Sequence, residues 1–214
     1  MLNAGALVLA GGESRRIGGF KALAELNGKP LILYVVEKAV KLFVEVVVVA
    51  SSERSARELK KILPRNVRVV EDSVDGRGPL VGIVSGARED SSEYMATLPC
   101  DSPFIRIEVL NILYGMRVGF DAVIPRWPNG YIEPLHAIYR RKTALSAGLQ
   151  ALKTGRYRVA EMIRRLGKVR YVDIEDFRKV DAELLTFFNI NSIEDLRRAE
   201  DIVKARLHTS FRDR

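Results

Sequence analysis

Two glycines and three cations directly follow the first apolar segment of the chain, and together such residues are suited to binding phosphate. The segment Ala6–Ala10 leads into Gly11–Gly12, followed by Arg15, Arg16 and Lys21. Glycine lets a ligand approach backbone N–H groups closely, and arginine and lysine bind phosphate oxygens. The spacing matches neither the G-x-G-x-x-G dinucleotide motif nor the G-x-x-x-x-G-K-[ST] phosphate loop. The pattern alone leaves both a nucleotide-binding loop and a surface turn open.

An acidic residue follows a second apolar segment. Asp101 comes just after Met95–Pro99. A carboxylate at the carboxyl end of a strand, opposite bound phosphates, can hold Mg²⁺, which prefers oxygen ligands. Asp101 also precedes a predicted helix start, so a helix cap is the alternative interpretation. Cys100 is the only cysteine and has no obvious histidine partner, so neither an internal disulfide nor a cysteine nucleophile is predicted.

The elements that must position these residues are predicted from an alternation of apolar and amphipathic segments. The predicted strands are short and mostly apolar, as buried parallel strands are: Ala6–Ala10, Val46–Ala50, Val67–Val70, Met95–Pro99 and Asp121–Pro125. Helical patterns between them cover Pro30–Phe43, Glu53–Leu63, Leu80–Glu89 and Arg106–Arg117. This alternation predicts an α/β/α fold with a mostly parallel, Rossmann-like sheet, whose ligands bind at the carboxyl ends of the strands.

The alternation changes in the last third of the chain. Further strands are predicted at Ile132–Tyr139 and Val169–Ile174, with helical patterns at Thr143–Lys153 and Val159–Leu166. A capping box at Ser192–Asp195 marks the start of a final helix. No long linker or internal repeat is apparent, so we predict one domain over residues 1–207, followed by a polar tail at 208–214.

Composition and charge narrow the class of protein. Hydrophobic residues make up 47% and charged residues 29% of 214, which is typical of a globular domain. No run approaches the roughly 20 apolar residues that span a bilayer, and no signal peptide is recognisable, so we expect a cytoplasmic protein without a membrane partner. Residues 140–214 carry a net charge of +7, against +1 for residues 1–139. The basic last third indicates either an anionic ligand or a solvated basic surface, and its scattered cations favour no nucleic-acid partner.

The glycine-rich loop resembles the signature of a known enzyme family. Residues 9–21, LAGGESRRIGGFK, are similar to L-A-G-G-x-S-x-R-M-G-x-D-K of nucleotidyltransferases, and most similar to the molybdenum cofactor guanylyltransferases. Further family motifs follow in order: Gly28-Lys29-Pro30-Leu31, Glu71-Asp72, Gly78-Pro79-Leu80, Cys100-Asp101-Ser102-Pro103-Phe104, Glu133-Pro134-Leu135 and Asn189-Ile190-Asn191. The resemblance implies the nucleotide-diphospho-sugar transferase type of fold, with a nucleotide-binding half at 1–120 and an acceptor-binding half at 121–207.

The resemblance also implies roles for particular residues. Arg16 and Lys21 would hold the triphosphate and, with Asp101, would be catalytic. The implied nucleotide-binding residues are Leu9, Ala10, Gly11, Gly12, Ser14, Arg16, Lys21, Asp72, Gly78, Pro79, Leu80 and Asp101. Gly11 points to GTP, because a related group that transfers cytidylyl has LAAG in place of LAGG.

Three positions depart from the family pattern. Phe20 replaces the usual aspartate before the lysine, Ile17 replaces methionine, and Ser51–Ser52 stand where the family has an asparagine. The first change puts in doubt an acidic group that would orient Lys21. The asparagine contact is carried over only weakly.

Mg²⁺ is the cofactor implied by the resemblance, with Asp101 and Asn191 as its ligands. A turn residue before the last helix is the alternative role for Asn191. The expected acceptor contacts are Arg126, Glu133, His136, Arg156 and Asn189. For His136, a packed histidine in a strand is the favoured alternative, and exposed arginines such as Arg126 and Arg156 are often only solvated.

The implied reaction is attack by the terminal phosphate of molybdopterin, carrying molybdenum, on the α-phosphorus of MgGTP. The products are the guanine dinucleotide form of the cofactor and pyrophosphate. A protein that delivers molybdopterin, or a molybdoenzyme, is a further expected partner. Two alternatives remain open: a related nucleotidyltransferase that uses CTP or acts on a sugar phosphate or cobinamide phosphate, and a non-catalytic nucleotide-binding protein.

Overall fold

A seven-stranded sheet forms the centre of the molecule. The computed structural model describes residues 1–11, 13–14, 19–72, 76 and 78–212. The strands of the sheet are β1 Leu2–Ala10, β2 Phe43–Ala50, β3 Arg68–Glu71, β4 Tyr94–Pro99, β5 Ala122–Arg126, β6 Ala137–Arg140 and β7 Val169–Asp173. Their order across the sheet is β7-β5-β6-β4-β1-β2-β3.

The predicted mostly parallel sheet is confirmed. Only β6 is antiparallel to its neighbours β4 and β5, whereas the other pairings are parallel. Leu9 lies opposite both Val49 and Pro99 in the register. The carboxyl ends of β1, β2 and β4 therefore meet at one edge, which we call the carboxyl edge.

Helices cover both faces of the sheet. Their bounds are α1 Leu31–Leu42, α2 Glu53–Ile62, α3 Pro79–Glu89, α4 Ile107–Gly115, α5 Arg141–Lys153, α6 Val159–Ile163 and α7 Ile193–Arg212. Alternating side chains of β1 divide the core: Ala6 and Val8 pack with α1, α2 and α4, while Leu7 and Leu9 pack with α3, α5 and α6. These two cores make the three-layer α/β/α domain that the apolar pattern predicts.

Local sequence signals fix where several helices begin. Ser52 caps α2, accepting from the Ser55 amide at 3.2 Å, while the Ser55 hydroxyl accepts from the Ser52 amide at 3.1 Å. The capping box predicted for α7 is confirmed: the Ser192 hydroxyl accepts from the Asp195 amide at 3.1 Å, and Asp195 accepts from the Ser192 amide at 2.9 Å. Gly78, with a φ of +116°, precedes Pro79 at the start of α3.

The strand predicted at Ile132–Tyr139 is wrong at its amino-terminal end. The strand itself, β6, covers only Ala137–Arg140, and Ile132 makes an isolated bridge to Arg126. Residues 133–136 form a turn instead, in which the His136 amide donates to the Glu133 carbonyl at 3.1 Å. Pro134 lacks an amide hydrogen, so this stretch suits a turn better than the middle of a strand.

Shorter elements complete the described chain. Two small hairpins pair Glu13–Ser14 with Gly19–Phe20 and Glu25–Leu26 with Lys29–Pro30. One-turn and two-turn 3-10 helices cover Lys21–Leu23, Ile174–Lys179 and Leu185–Phe187. Helix α6 ends at Ile163, before the predicted Leu166, and α7 continues to Arg212, beyond the predicted boundary at residue 207. Within the described ranges, no helix is both long and apolar enough to cross a bilayer.

Candidate active site

Three polar side chains converge at the carboxyl edge, where the sequence predicts ligand binding. Lys21 begins the 3-10 helix after the first hairpin, and the buried Ala22 anchors that turn in the core. The Lys21 ammonium makes an ion pair with Asp101 and donates to Asn191 Oδ1 at 2.8 Å. The side chains of Lys21 and Asp101 are 16% and 14% exposed. We call Lys21, Asp101 and Asn191 the cation cluster.

The position of Asp101 is fixed by the ends of two strands. The Cys100 amide, just beyond β4, donates to the Leu9 carbonyl of β1 at 3.2 Å. The Asp101 carbonyl in turn accepts from the Ile190 amide at 3.0 Å. Helix α4 begins only at Ile107 and has Arg106 as its N-cap, so Asp101 does not cap it. The cap interpretation of Asp101 is therefore wrong, and the metal-ligand role stays a prediction.

Asn191 is held in place by the start of α7. Its backbone amide donates to Asp195 Oδ2 at 2.9 Å, the same oxygen that accepts from the Ser192 amide. Although partial burial acts to raise the pKa of Asp195, hydrogen bonds from these two amides and from the Ser192 hydroxyl keep it below its ordinary value. An ionised Asp195 thus holds the backbone of Asn191, and the carboxamide stays directed at Lys21.

The cation cluster contains two oxygen atoms that are suitable ligands for a hard divalent cation. Asp101 Oδ2 and Asn191 Oδ1 both face the Lys21 ammonium, which shows that the two oxygens already share a site for positive charge. Among the described residues, no group of three His, Cys, Asp or Glu side chains forms a metal site. A carboxylate and an amide oxygen are the few protein ligands that Mg²⁺ requires, since water and substrate phosphates complete its shell.

The end of β1 forms an open floor beside this cluster. Leu9 and Ala10 are buried, whereas Gly11 is exposed. A Cβ on Gly11 would lie 3.6 Å from the Ser51 Cβ, so the glycine leaves its backbone accessible between two strand ends. Ser51, at the position where the family asparagine is missing, borders Gly11, while Ser52 caps α2.

Asp72 is a partly buried carboxylate at the end of β3. Its amide donates to the Ala50 carbonyl at 2.9 Å, and its Oδ1 lies beside Gly82 of α3. Oδ1 is buried and has no hydrogen-bond partner among the residues that the structure describes. Burial raises the pKa of Asp72 from 3.8 to about 6. Buried acceptors are normally paired, so this atom is suited to a donor supplied by a ligand.

The start of α3 brings the two halves of the chain together. Gly78 and Pro79 are exposed at its first turn, and Leu80 is buried in the core. The ring of Tyr157 packs against Gly76, where an added Cβ would lie 2.8 Å from the Tyr157 Cδ1. The segment that contains Arg156 therefore lies beside the loop preceding α3.

The candidate acceptor residues divide into two sets. Arg126 and Arg156 are exposed, and the Arg126 guanidinium lies 5.2 Å from the centre of the Tyr171 ring. His136 and Asn189 instead make hydrogen bonds to Ser102, Glu133 lies 3.6 Å from the other side of the His136 ring, and His136 is only 1% exposed. The packed alternative for His136 is thus confirmed, although the residue precedes β6 rather than lying within it.

Two polar residues that contact this second set are not recognisable from the sequence. Ser102 is fully buried and contacts both His136 and Asn189, and Trp127 donates to Glu133. Ser102 directly follows Asp101 in a family motif, which is the only signal that could have singled it out. Burial raises the pKa of the neighbouring Cys100 thiol, in agreement with the prediction that this cysteine is no nucleophile.

Part of the predicted phosphate loop, Gly12, Arg15, Arg16 and Ile17, lies outside the described residues. Ser14 belongs to the first strand of the first hairpin, for which only the backbone is described. The roles assigned to Gly12, Ser14 and Arg16 therefore stay predictions.

Comparison with known proteins agrees with this geometry. Residues 6–169 match the MobA-like NTP transferase domain. The chain is 36% identical over 197 residues to a probable molybdenum cofactor guanylyltransferase of Methanosarcina mazei, covering 89% of this chain and 87% of the relative. It is 35% identical over 201 residues to the molybdenum cofactor guanylyltransferase of Desulfosudis oleivorans, covering 93% and 95%.

A solved structure shows the same architecture. Molybdopterin-guanine dinucleotide biosynthesis protein A from Archaeoglobus fulgidus superposes with a TM-score of 0.82 at 35% identity, over 94% of this chain and 99% of that one. The fold and the matches define the protein as a nucleotidyltransferase. Within that class, the chain belongs to the MobA-like NTP transferase family.

Proposed function

We propose that this protein transfers GMP from GTP to molybdopterin, forming the guanine dinucleotide form of the cofactor and releasing pyrophosphate. The proposal is supported by relatives named as molybdenum cofactor guanylyltransferases that match most of the chain. The observation that carries it is the cation cluster, in which a lysine, a carboxylate and an amide oxygen meet at the carboxyl edge. That arrangement provides both a phosphate-binding ammonium and metal-binding oxygens within one site.

The nucleoside would lie between the ends of β1 and β3. Leu9 and Ala10 form its floor, and the exposed backbone of Gly11 permits close approach of the base and ribose. Asp72 Oδ1, which is buried without a partner in the described part of the chain, would accept from the guanine N1–H and 2-amino groups or from the sugar. Gly78, Pro79 and Leu80 would border the base at the first turn of α3.

The triphosphate would be bound by Lys21 together with Arg16. When Lys21 donates to phosphate oxygens, it gives up its contacts with Asp101 and Asn191. The two oxygens are then free to hold Mg²⁺. The bound Mg²⁺ would act as a Lewis acid that offsets negative charge on the phosphates.

The acceptor would approach from the second half of the chain. Arg126 and Arg156 are exposed, and Arg156 adjoins Tyr157, which packs on the loop before α3. These guanidinium groups are suited to hold an anionic pterin phosphate for in-line attack on the α-phosphorus. A phosphate nucleophile is already ionised, so catalysis depends on positioning and charge neutralisation rather than on a general base.

A panel of nucleotides and acceptors tests the proposal. GTP, CTP and ATP are each combined with molybdopterin, a sugar phosphate or cobinamide phosphate in the presence of Mg²⁺, and pyrophosphate release is measured. We expect release with GTP and molybdopterin, and loss of release in Asp101→Ala. Activity only with CTP, or only with another acceptor, would assign the protein to a related transferase. Tight GTP binding without turnover on any acceptor would favour a non-catalytic nucleotide-binding protein.

A further inference from the structure

Buried and half-buried polar side chains line up next to the cation cluster, joined by hydrogen bonds on either side of one longer contact. Ser102 donates from its hydroxyl to Asn189 Oδ1, and His136 Nε2 lies 3.1 Å from the same hydroxyl oxygen. On the other side of the ring, His136 Nδ1 lies 3.6 Å from Glu133 Oε2, which is too far for a hydrogen bond, and Nδ1 has no hydrogen-bond partner among the described residues. The Trp127 indole donates to the second carboxylate oxygen of Glu133 at 2.7 Å. We call these five residues the polar chain.

The direction of the hydrogen bonds follows from the chemistry of the groups. Asn189 Oδ1 only accepts, so it takes the single hydroxyl hydrogen of Ser102. The Ser102 oxygen is therefore the acceptor for His136, whose Nε2 must carry a hydrogen. The acid, histidine and serine stand in the order of a catalytic triad, but here the histidine donates to the serine and does not activate it as a nucleophile.

The histidine ring is fixed from several directions. It meets the Phe187 ring in a T-shaped contact, with ring centres 5.4 Å apart. The turn that carries Glu133 and His136 is anchored at Pro134, whose carbonyl accepts from Thr97 at 3.1 Å and from Tyr139 at 2.8 Å. Ser102 is 0% exposed and His136 is 1% exposed, so neither side chain has surface for a substrate.

The Asn189 end of the polar chain lies two residues before Asn191, whose side-chain oxygen belongs to the cation cluster. Asn189 is followed by Ile190, whose amide donates to the Asp101 carbonyl at 3.0 Å, and by Asn191, whose amide oxygen belongs to the cation cluster. Hydrogen bonds to Asp101 and Asp195 thus hold the backbones of Ile190 and Asn191. The Asn189 carboxamide is held by Ser102 alone among the hydrogen bonds of the described residues.

We propose that Ser102 and His136 are positioning residues, which orient the segment 189–191 and thereby place the Asn191 carboxamide oxygen for the metal. This inference rests on the proposed function only in taking the cation cluster as the metal site. It gives Glu133, His136 and Asn189 a role inside the protein, in place of the direct acceptor contact that the sequence suggests. Outer groups of this kind tune metal affinity and activity by roughly 10-fold to 100-fold.

The test measures Mn²⁺ retained by the protein in equilibrium dialysis with a non-hydrolysable GTP analogue, alongside pyrophosphate release. In Ser102→Ala and His136→Leu, we expect Mn²⁺ affinity and kcat to fall about 10-fold or more. Retention of the analogue without metal should change less than about threefold, because the nucleoside contacts lie on other residues. His136→Gln keeps an N–H donor at this position. Its Mn²⁺ affinity should therefore be well above that of His136→Leu and close to that of the wild-type protein.

A matched control separates positioning from simple loss of stability. Ser55→Ala removes another buried hydroxyl, which bonds Ser52 at the start of α2 and lies outside the polar chain. It should lower the thermal midpoint as Ser102→Ala does, with Mn²⁺ affinity unchanged. Asn189→Ala removes the half-buried end of the polar chain, and should reproduce the Mn²⁺ defect even if a core variant does not fold.

Three outcomes would overturn the proposal: unchanged Mn²⁺ affinity in Ser102→Ala and Asn189→Ala, an equal loss in Ser55→Ala, or an effect confined to the KM of the acceptor. The last would instead favour direct acceptor contact. Failure of the proposed function looks different. If wild-type protein shows no guanylyl transfer but the variants still lose Mn²⁺ affinity, GMP transfer is wrong and the positioning role stands.

Discussion

The two edges of the central sheet each hold a buried aspartate whose pKa is raised to about 6, yet their surroundings differ. At the carboxyl edge, burial raises the pKa of Asp72. At the opposite edge, where β1 and β4 begin, burial and a hydrogen bond with Glu45 raise the pKa of Asp90. Each carboxyl group has one buried oxygen without a hydrogen-bond partner in the described part of the chain, Asp72 Oδ1 and Asp90 Oδ2, but Asp90 Oδ1 accepts from the Ser92 amide at 3.1 Å.

The opposite edge is closed by packing. Gly5 lies opposite Glu45 in the register, and a Cβ on Gly5 would lie 2.5 Å from the Asp90 Cγ. Glu45 accepts from the Ser91 amide and hydroxyl at 3.0 and 2.8 Å and pairs with Arg68 at 3.0 Å. A raised pKa is thus shared by both edges and does not by itself mark function. An unpaired carboxyl oxygen is likewise present at both edges. The exposed backbone of Gly11 distinguishes the carboxyl edge as the place for a ligand, because Gly5 at the opposite edge is covered by the Asp90 carboxyl group.

The largest effect is expected for Lys21→Ala at the carboxyl edge. Loss of its ammonium should lower kcat/KM by about 100-fold to 1000-fold, which corresponds to about 3–4 kcal/mol of transition-state stabilisation. Lys61→Ala is the matched control, because Lys61 makes an exposed ion pair with Glu58 at 2.7 Å on α2. Pyrophosphate release measures both variants. Equal activity of Lys21→Ala and Lys61→Ala would contradict the assignment of the site to this edge.

The second largest effect is expected for Gly5→Ala at the opposite edge. The new methyl group would overlap the Asp90 carboxyl group, so we expect the free energy of unfolding to fall by about 2–3 kcal/mol. Gly115→Ala at the end of α4 is the control, since nothing lies within 4 Å of its Cβ position. Urea denaturation measures both. If Gly5→Ala were as stable as Gly115→Ala, the opposite edge would not be closed by packing in the way described.

The contrast between the edges also explains what the sequence could predict. Apolar periodicity was enough for the parallel strands and the helices, and the Ser192–Asp195 capping box correctly marked the start of α7. The loop signature identified Lys21, and the family motifs identified Asp101 and Asn191, which the fold brings into contact. Local signals sufficed here because each depends on a short run of residues.

Features that depend on distant contacts were not predictable. The turn at 133–136 replaced a predicted strand because Pro134 and the polar chain outweigh apolar patterning. Ser102 meets Asn189 across 87 positions of sequence, and no local pattern reports such a pairing. The Gly5–Asp90 contact is likewise invisible in sequence, since nothing around either residue distinguishes it from an ordinary strand or loop position.

A smaller and two-sided effect is expected for Asp72→Asn. The pKa of Asp72 is higher in the folded than in the unfolded state, so folding stability falls as pH rises from about 4 to about 6. Asparagine removes that cost, and the free energy of unfolding at pH 8 should rise by about 1 kcal/mol after allowance for partial exposure. The KM for GTP should rise about 10-fold, because a carboxamide accepts through one oxygen only.

Thermal unfolding at pH 8 and kinetics with GTP and inosine triphosphate measure the Asp72 variant. Inosine triphosphate lacks the 2-amino donor, so its KM should change less than that of GTP. A more stable variant with an unchanged KM for both nucleotides would show that Asp72 does not contact the base. The Asp72 carboxyl group would then have no more claim to a ligand than the Asp90 carboxyl group at the closed edge.

The smallest effect is expected for Asp90→Asn, which sharpens the comparison because the same substitution is made at the closed edge. The raised pKa of Asp90 predicts the same sign: stability is lost as pH rises from about 4 to about 6. An asparagine can donate to Glu45 and accept from the Ser92 amide at every pH, so the free energy of unfolding at pH 8 should rise by about 1 kcal/mol, with no gain at pH 4. Urea denaturation at the two pH values measures this, and the KM for GTP should stay at the wild-type value. A changed KM, or a gain that is equal at both pH values, would contradict the structural role of this carboxyl group and the distinction between an open and a closed edge.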